Sequence, residues 1–83
     1  MEQKKQMKDD FVNRMICEYR ELSERARKLR VKVSDTKFMR SLEVIKGNLL
    51  IAQYQAMETY RCILWQRLLL ENVDPKLIAD DEE

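Results

Sequence analysis

Seven cations lie close together between Arg25 and Arg40, with one acidic residue, Asp35, among them. They are Arg25, Arg27, Lys28, Arg30, Lys32, Lys37 and Arg40. Such a cluster, joined by the free amide groups at the start of a following helix, suits a phosphate. A solvated helix face, on which nearby glutamates pair with Arg25 and Lys28, produces the same pattern. The stretch therefore predicts either an anion site or a hydrated surface, and both interpretations stay open.

A second polar pattern interrupts an apolar strip. Gln53, Tyr60 and Arg67 recur every seven residues along a strip whose other members are Leu49, Ala56, Ile63 and Leu70. An unpaired polar group in such a setting costs about 1 to 3 kcal/mol. The three side chains are therefore expected either to pair with one another or a neighbouring helix, or to line a polar pocket between subunits.

The residue types argue against catalysis. The chain has no histidine, and Cys17 and Cys62 have neither metal-ligand nor CxxC spacing. The carboxylates are not placed beside a nucleophile or a metal site. We predict no enzymatic activity, no catalytic residue, no metal and no cofactor, and expect both cysteines to be reduced and buried.

Composition favours helices. With one Gly and one Pro among 83 residues, the chain has little capacity for tight turns, so we predict a single all-α domain. No apolar run approaches the ~18 residues of a membrane span, and no signal sequence is recognisable, so a soluble, cytoplasmic protein is expected. The net charge of +1 argues against nucleic acid as a partner.

Two long helices are predicted. The first, over about residues 10–33 with Asp9 or Asp10 as its cap, carries a heptad seam of Val12, Met15, Tyr19, Leu22, Ala26, Leu29 and Val33. The second spans about residues 38–71, weakened near Gly47. Asn72 ends it, a short helix follows over about residues 75–79, and residues 80–83 form an acidic tail. The expected fold is an antiparallel hairpin with a short C-terminal helix.

The second long helix is apolar around nearly its whole circumference. One neighbouring helix covers only about a third of such a surface. We therefore predict a homo-oligomeric helical bundle, most simply a four-helix dimer, with a larger closed assembly as the alternative.

Two segments resemble a known group of proteins. "EYRELSERARKL" and "LLIAQYQAMETYRCILWQRL" are similar to small helical-hairpin proteins of bacteriophages, including crAss-like phages. The matching positions are Glu18, Tyr19, Glu21, Leu22, Arg25, Lys28, Leu29, Gln53, Ala56, Met57, Tyr60, Leu64, Arg67 and Leu68. The fold is also similar to oligomeric phage hairpins that sequester the cyclic nucleotide or cyclic ADP-ribose signals of the CBASS and Thoeris defences.

This resemblance implies a non-catalytic, oligomeric protein that binds a nucleotide messenger in the cytoplasm of an infected bacterium. The candidate ligand-binding residues are Arg25, Lys28 and Arg30 for phosphates, Tyr19 and Tyr60 for stacking on a base, and Gln53 and Arg67 for a polar edge.

The alternative hypothesis is an oligomeric protein–protein interaction module. It would bind a host or phage protein through apolar surface near Trp65 and Leu69.

Overall fold

The computed structural model describes residues 2–78, with side chains described for residues 10–76 and for Ile78. These residues form four helices and no strand: α1 (Glu2–Val33), α2 (Thr36–Arg40), α3 (Val44–Leu70) and α4 (Pro75–Ile78). The all-α prediction is therefore confirmed, and α1 packs along α3. The predicted acidic tail lies outside the described residues.

Side-chain contacts at two levels of the hairpin establish that α1 and α3 run antiparallel. The Tyr60 hydroxyl donates a hydrogen bond to the Glu18 carboxylate, and Arg61 donates to the Tyr19 hydroxyl at 3.2 Å. Nearer the end of α3, the Arg67 guanidinium lies 5.9 Å from the centre of the Phe11 ring. Later positions on α3 thus meet earlier positions on α1, as in a hairpin.

The core follows the seam predicted for the first helix. Its central members Met15, Tyr19 and Leu22 form one cluster with the fully buried Leu64 and Leu68 of α3, and Ala26 is buried further along α1. Ile78 of α4 completes this cluster from the end of the hairpin. Because α1 supplies one apolar stripe and α3 supplies apolar residues all round, the pairing leaves much of α3 uncovered.

The predicted second helix is divided into two. Asp35 caps α2 by accepting a hydrogen bond from the Phe38 amide at 3.1 Å, and the Ser41 hydroxyl donates to the Phe38 carbonyl at 2.6 Å. Residues 41–43 are not helical, and α3 begins at Val44. The break therefore precedes Gly47, which lies inside α3 with its amide bonded to the Glu43 carbonyl. Side-chain capping on both ends of α2 isolates that turn from α3.

At the other helix ends, the structure agrees with some of the sequence predictions and differs from others. α1 begins at Glu2, so Asp10 lies within the helix and does not cap it. Asn72 adopts a positive φ of 66°, and the Val73 amide reaches back to the Leu68 carbonyl at 3.1 Å. This is a Schellman ending, in which asparagine tolerates the left-handed backbone. Pro75 is the first residue of α4.

Candidate ligand-binding site

The contact between α1 and α3 leaves a different surface on each side of the hairpin. At about 100° per residue, Gln53, Tyr60 and Arg67 fall on one flank of the buried Leu64, and Arg61 falls on the other. We call the first side the front and the second the rear. Each side has concave surface lined by residues of both helices.

The front groove is an open concavity of about 280 Å³. Its lining consists of Arg25, Lys28, Leu29, Lys32, Gln53 and Met57. Three cations from α1 thus share the groove with an amide from α3, and two apolar side chains complete its lining. This combination suits a ligand that carries both phosphate and an apolar or aromatic group.

The cations of the front groove are weakly engaged within the chain. Arg25 has no ion pair with any carboxylate of the described residues. Lys28 lies 3.6 Å from Glu24, but both side chains are more than half exposed, so the pair contributes little. The Lys32 ammonium lies 5.7 Å from the centre of the Phe38 ring. Their positive charge is therefore available to an incoming anion.

A second concavity, the lower pocket, lies further along the front towards the end of α3. It has a volume of about 330 Å³ and is lined by Phe11, Arg14, Met15, Glu18 and Arg67. Arg67 stacks over Phe11 at its edge. The hydrogen bond from Tyr60 to Glu18 raises the pKa of Tyr60, with burial and the Glu18 charge acting in the same direction and Arg67 opposing them. Tyr60 is therefore a neutral hydrogen-bond donor at neutral pH.

Five of the seven predicted site residues lie on the front. Arg25, Lys28 and Gln53 line the front groove, Arg67 lines the lower pocket, and Tyr60 bonds to a residue of that pocket.

The other two lie elsewhere. Tyr19 is in the core, 7% exposed, with its ring 5.6 Å from that of Trp65. Arg30 lines a pocket on the rear. The structure thus separates Arg30 from Arg25 and Lys28.

The recurring polar residues of α3 have neighbours on α1. Tyr60 bonds to Glu18, Arg67 lies over Phe11, and Gln53 faces the cations of the front groove. One of the two interpretations from the sequence was that these residues pair with a neighbouring helix. Tyr60 does so. Their side chains remain exposed, so the front can still receive a ligand or a second chain.

Several lining residues were absent from the seven candidate ligand-binding residues, although Lys32 belongs to the cation cluster seen in the sequence. Lys32 follows Lys28 by four residues and Arg25 by seven, and Met57 follows Gln53 by four, so helical spacing could have identified both. Phe11 and Glu18 become visible only through their contacts with α3. No residue at the start of α2 lines the front groove, and the Phe38 amide there is already bonded to Asp35.

A second heptad seam runs along α3 beside the front. Its steps of four and three alternate without interruption, and every member is exposed: Ile45, Leu49, Ala52, Ala56, Thr59, Ile63, Gln66 and Leu70. Leu49 is 64% exposed and Leu70 is 81% exposed. We call this surface the exposed seam. No element among residues 2–78 covers it, and its spacing is that of a helix packed lengthwise on another helix.

Three further features of the described residues bear on function. Cys17 and Cys62 are free but exposed, so the expectation that they are buried is wrong. Within the part of the chain that the structure describes, no group of three or more His, Cys, Asp or Glu residues could hold a metal ion. No helix there has the length and apolar character that crossing a bilayer requires.

Comparison with known proteins gives one family. Residues 9–70 match the family described as Sequestin. This range includes most of α1 and all of α2 and α3, and therefore every residue of the front groove and the lower pocket. Neither the curated proteins nor the solved structures contain a match to this chain.

Proposed function

The chain belongs to the Sequestin family, and from this membership we propose that it binds and sequesters a nucleotide immune messenger without cleaving it. The family name indicates sequestration of a ligand, and the front groove has the charge for a phosphorylated one. The messenger is of the cyclic oligonucleotide or cyclic ADP-ribose type. The protein acts as a bacteriophage counter-defence protein in the cytoplasm of the infected cell, as its resemblance to phage hairpins implies.

The observation that carries this proposal is the convergence of three cations with Gln53 in one groove. Arg25, Lys28 and Lys32 approach from α1, while Gln53 faces them from α3. Guanidinium and ammonium groups bind phosphate through charge-assisted hydrogen bonds, and an amide both donates to and accepts from a base edge. Met57, between them, offers a polarisable contact for a flat ring. The groove thus offers groups that can contact both the phosphate and the base of a nucleotide.

The groove also explains why the ligand would remain intact. None of its lining residues is an acid, a hydroxyl or a thiol. The chain has no histidine. Hydrolysis of a phosphate ester requires a positioned nucleophile or base, usually with a metal. A ligand held by these residues alone is bound without being cleaved.

Sequestration is proposed to involve a second copy of the chain. The groove's volume of about 280 Å³ is just below the ~300 to 1,000 Å³ typical of small-molecule sites. The exposed seam borders the flank of α3 that carries Gln53 and Tyr60. A second copy packed on that seam would therefore lie beside the groove, and would cover apolar surface that the single chain leaves in water.

Titration calorimetry with cyclic dinucleotides, cyclic trinucleotides and cyclic ADP-ribose isomers tests the proposal. We expect saturable binding of one class, and recovery of the ligand with unchanged mass after the protein is denatured. Arg25→Gln should weaken binding by about tenfold or more, since it removes a charged hydrogen bond. Arg40→Gln is the matched control, because it makes the same charge change at an exposed position on α2.

Two results would overturn this function. One is the absence of binding to every member of the panel by a folded protein. The other is conversion of the ligand to a product of different mass. Equal weakening by Arg25→Gln and Arg40→Gln would instead reject the front groove as the site, because it would indicate a diffuse effect of net charge.

A different apolar strip of α3 favours the second candidate function, a protein–protein interaction module. Ile51 and Leu69 are 39% and 41% exposed, and they lie on the opposite flank from the exposed seam. In that case a folded oligomer should bind no nucleotide and should still expose these residues. Crosslinking at Ile51 or Leu69 in the oligomer, through a photoreactive side chain, measures that exposure.

A further inference from the structure

A small polar pocket lies on the rear of the hairpin, away from the front groove. Ser23, Arg27 and Arg30 line it from α1, and Glu58 and Arg61 line it from α3. We infer that this rear pocket binds a single phosphate-type oxyanion that bridges the two helices. The site does not depend on the proposed function, because it shares no lining residue with the front groove.

Two residues that line the pocket each have a buried donor without a hydrogen-bond partner in the part of the chain that the structure describes. Ser23 is 9% exposed, and its Oγ makes no hydrogen bond with any described residue. The Nε of Arg61 is also buried and unbonded. A buried donor without a partner costs free energy, so native structures rarely retain one unless a ligand or water completes it. These two donors indicate that a hydrogen-bond acceptor belongs in the pocket.

Arg61 is held in a fixed position for this role. Its Nη1 donates to the Tyr19 hydroxyl at 3.2 Å, and its Nη2 donates to Glu58 Oε1 at 3.0 Å. The guanidinium also lies 5.9 Å from the centre of the Tyr19 ring. These two bonds fix the plane of the guanidinium and leave its Nε–H without a partner in the described part of the chain. A donor that is already oriented loses less entropy when it binds.

The charges in the pocket favour an anion over water. Arg27 and Arg30 have no ion pair with any carboxylate among the described residues. The one carboxylate in the lining, Glu58, is already bonded to Arg61. Three guanidinium groups against one carboxylate leave an excess of positive charge. An oxyanion would reduce the repulsion among these groups and accept from each of them.

The volume limits the ligand to one such group. The pocket has a volume of about 90 Å³, well below the ~300 to 1,000 Å³ typical of sites for small organic molecules. A tetrahedral oxyanion fits this space, whereas a nucleotide does not. The ligand is therefore free phosphate, or the terminal phosphate of a compound whose remainder stays outside.

Side-chain NMR of the full chain tests the site directly. The probes are inorganic phosphate and a nucleoside monophosphate, each compared with sodium chloride at equal ionic strength. We expect the Arg61 Nε–H resonance to shift saturably with at least one phosphate compound and not with chloride. A response to inorganic phosphate would identify a free oxyanion, and a response only to the monophosphate would identify a phosphate group on a larger ligand.

Substitutions separate this site from the front groove. Arg27→Gln should weaken phosphate binding by about tenfold or more, while Arg25→Gln, two residues away on the opposite side, should leave it unchanged. Ser23→Ala should also weaken it, and alanine favours the helix, so the variant remains folded.

The opposite pattern is expected for the messenger. Arg27→Gln should retain messenger binding and Arg25→Gln should lose it, so failure of one site is distinguishable from failure of the other. A linear, unsaturated shift, or equal effects of Arg25→Gln and Arg27→Gln on phosphate binding, would overturn the rear site.

Discussion

Replacing Leu49 by alanine should weaken association between copies of the chain without unfolding the single chain. Leu49 belongs to the exposed seam and is 64% exposed. Complete burial of a leucine is worth about 1.5 to 3 kcal/mol. Covering the exposed fraction of this side chain is therefore worth about 1 to 2 kcal/mol in each copy. Alanine keeps the helix and removes nearly all of that contribution.

A symmetric pair doubles the effect. In a two-fold interface each copy contributes its own Leu49, so the loss is about 2 to 4 kcal/mol per dimer. This corresponds to a dissociation constant raised about 30- to 1,000-fold. Sedimentation equilibrium over a dilution series measures that constant directly.

Val31→Ala is the matched control. Val31 is 63% exposed, almost the same as Leu49, but it lies on α1 and outside the seam. Its substitution should leave the dissociation constant unchanged. If Leu49→Ala and the wild-type chain associate equally, or if the wild-type chain stays monomeric at every concentration, the exposed seam is not an interface between copies.

Three further predictions concern the stability of the hairpin. Leu64→Ala should lower the free energy of unfolding by about 2 to 5 kcal/mol, because Leu64 is 0% exposed; a urea titration in which it unfolds like the wild type would contradict the described core. Gly47→Ala should raise the same quantity by up to about 1 kcal/mol, since an added Cβ would lie 3.6 Å from the Met39 methyl, an ordinary contact; a lower unfolding midpoint would show that this contact is too close. The raised pKa of Tyr60, due chiefly to its bond with Glu18, means that the folded chain holds this proton more tightly than the unfolded chain. Stability from this bond should therefore be complete below about pH 10 and be lost as pH rises above it. Unfolding titrations should show that the free energy of unfolding of the wild type exceeds that of Tyr60→Phe by less and less as pH rises. A difference that stays constant with pH would argue against the bond.

Patterns among residues close together in the sequence were sufficient to predict much of the fold. The alternating spacing from Val12 to Val33 predicted which face of α1 is buried, because an amphipathic stripe has one low-energy orientation. Asn72 was predicted to end the long helix, and Pro75 to begin the short one. Both depend on backbone preferences of single residues, which distant parts of the chain seldom override.

The sequence analysis missed the division of the second long helix because the residue that ends α2 does so only in a particular local structure. The sequence predicted one helix from about residue 38 to 71, with Gly47 as its weak point. The actual break depends on Ser41, whose hydroxyl bonds back to the Phe38 carbonyl once α2 has been capped. Serine occurs inside many helices, so its presence alone does not predict an end.

The arrangement of the candidate sites needed the packing of α1 against α3. The sequence identified the cations and the polar strip of α3, but not which of them share a surface. Arg30 follows Arg25 by five residues, a rotation of about 140° on a helix, and packing against α3 places them on opposite sides of the hairpin. The sequence gives the type of each residue directly. Which faces of two helices pack together depends instead on all the residues of their buried interface. That interface joins Arg25 to Gln53 in one groove and Arg30 to Arg61 in another pocket.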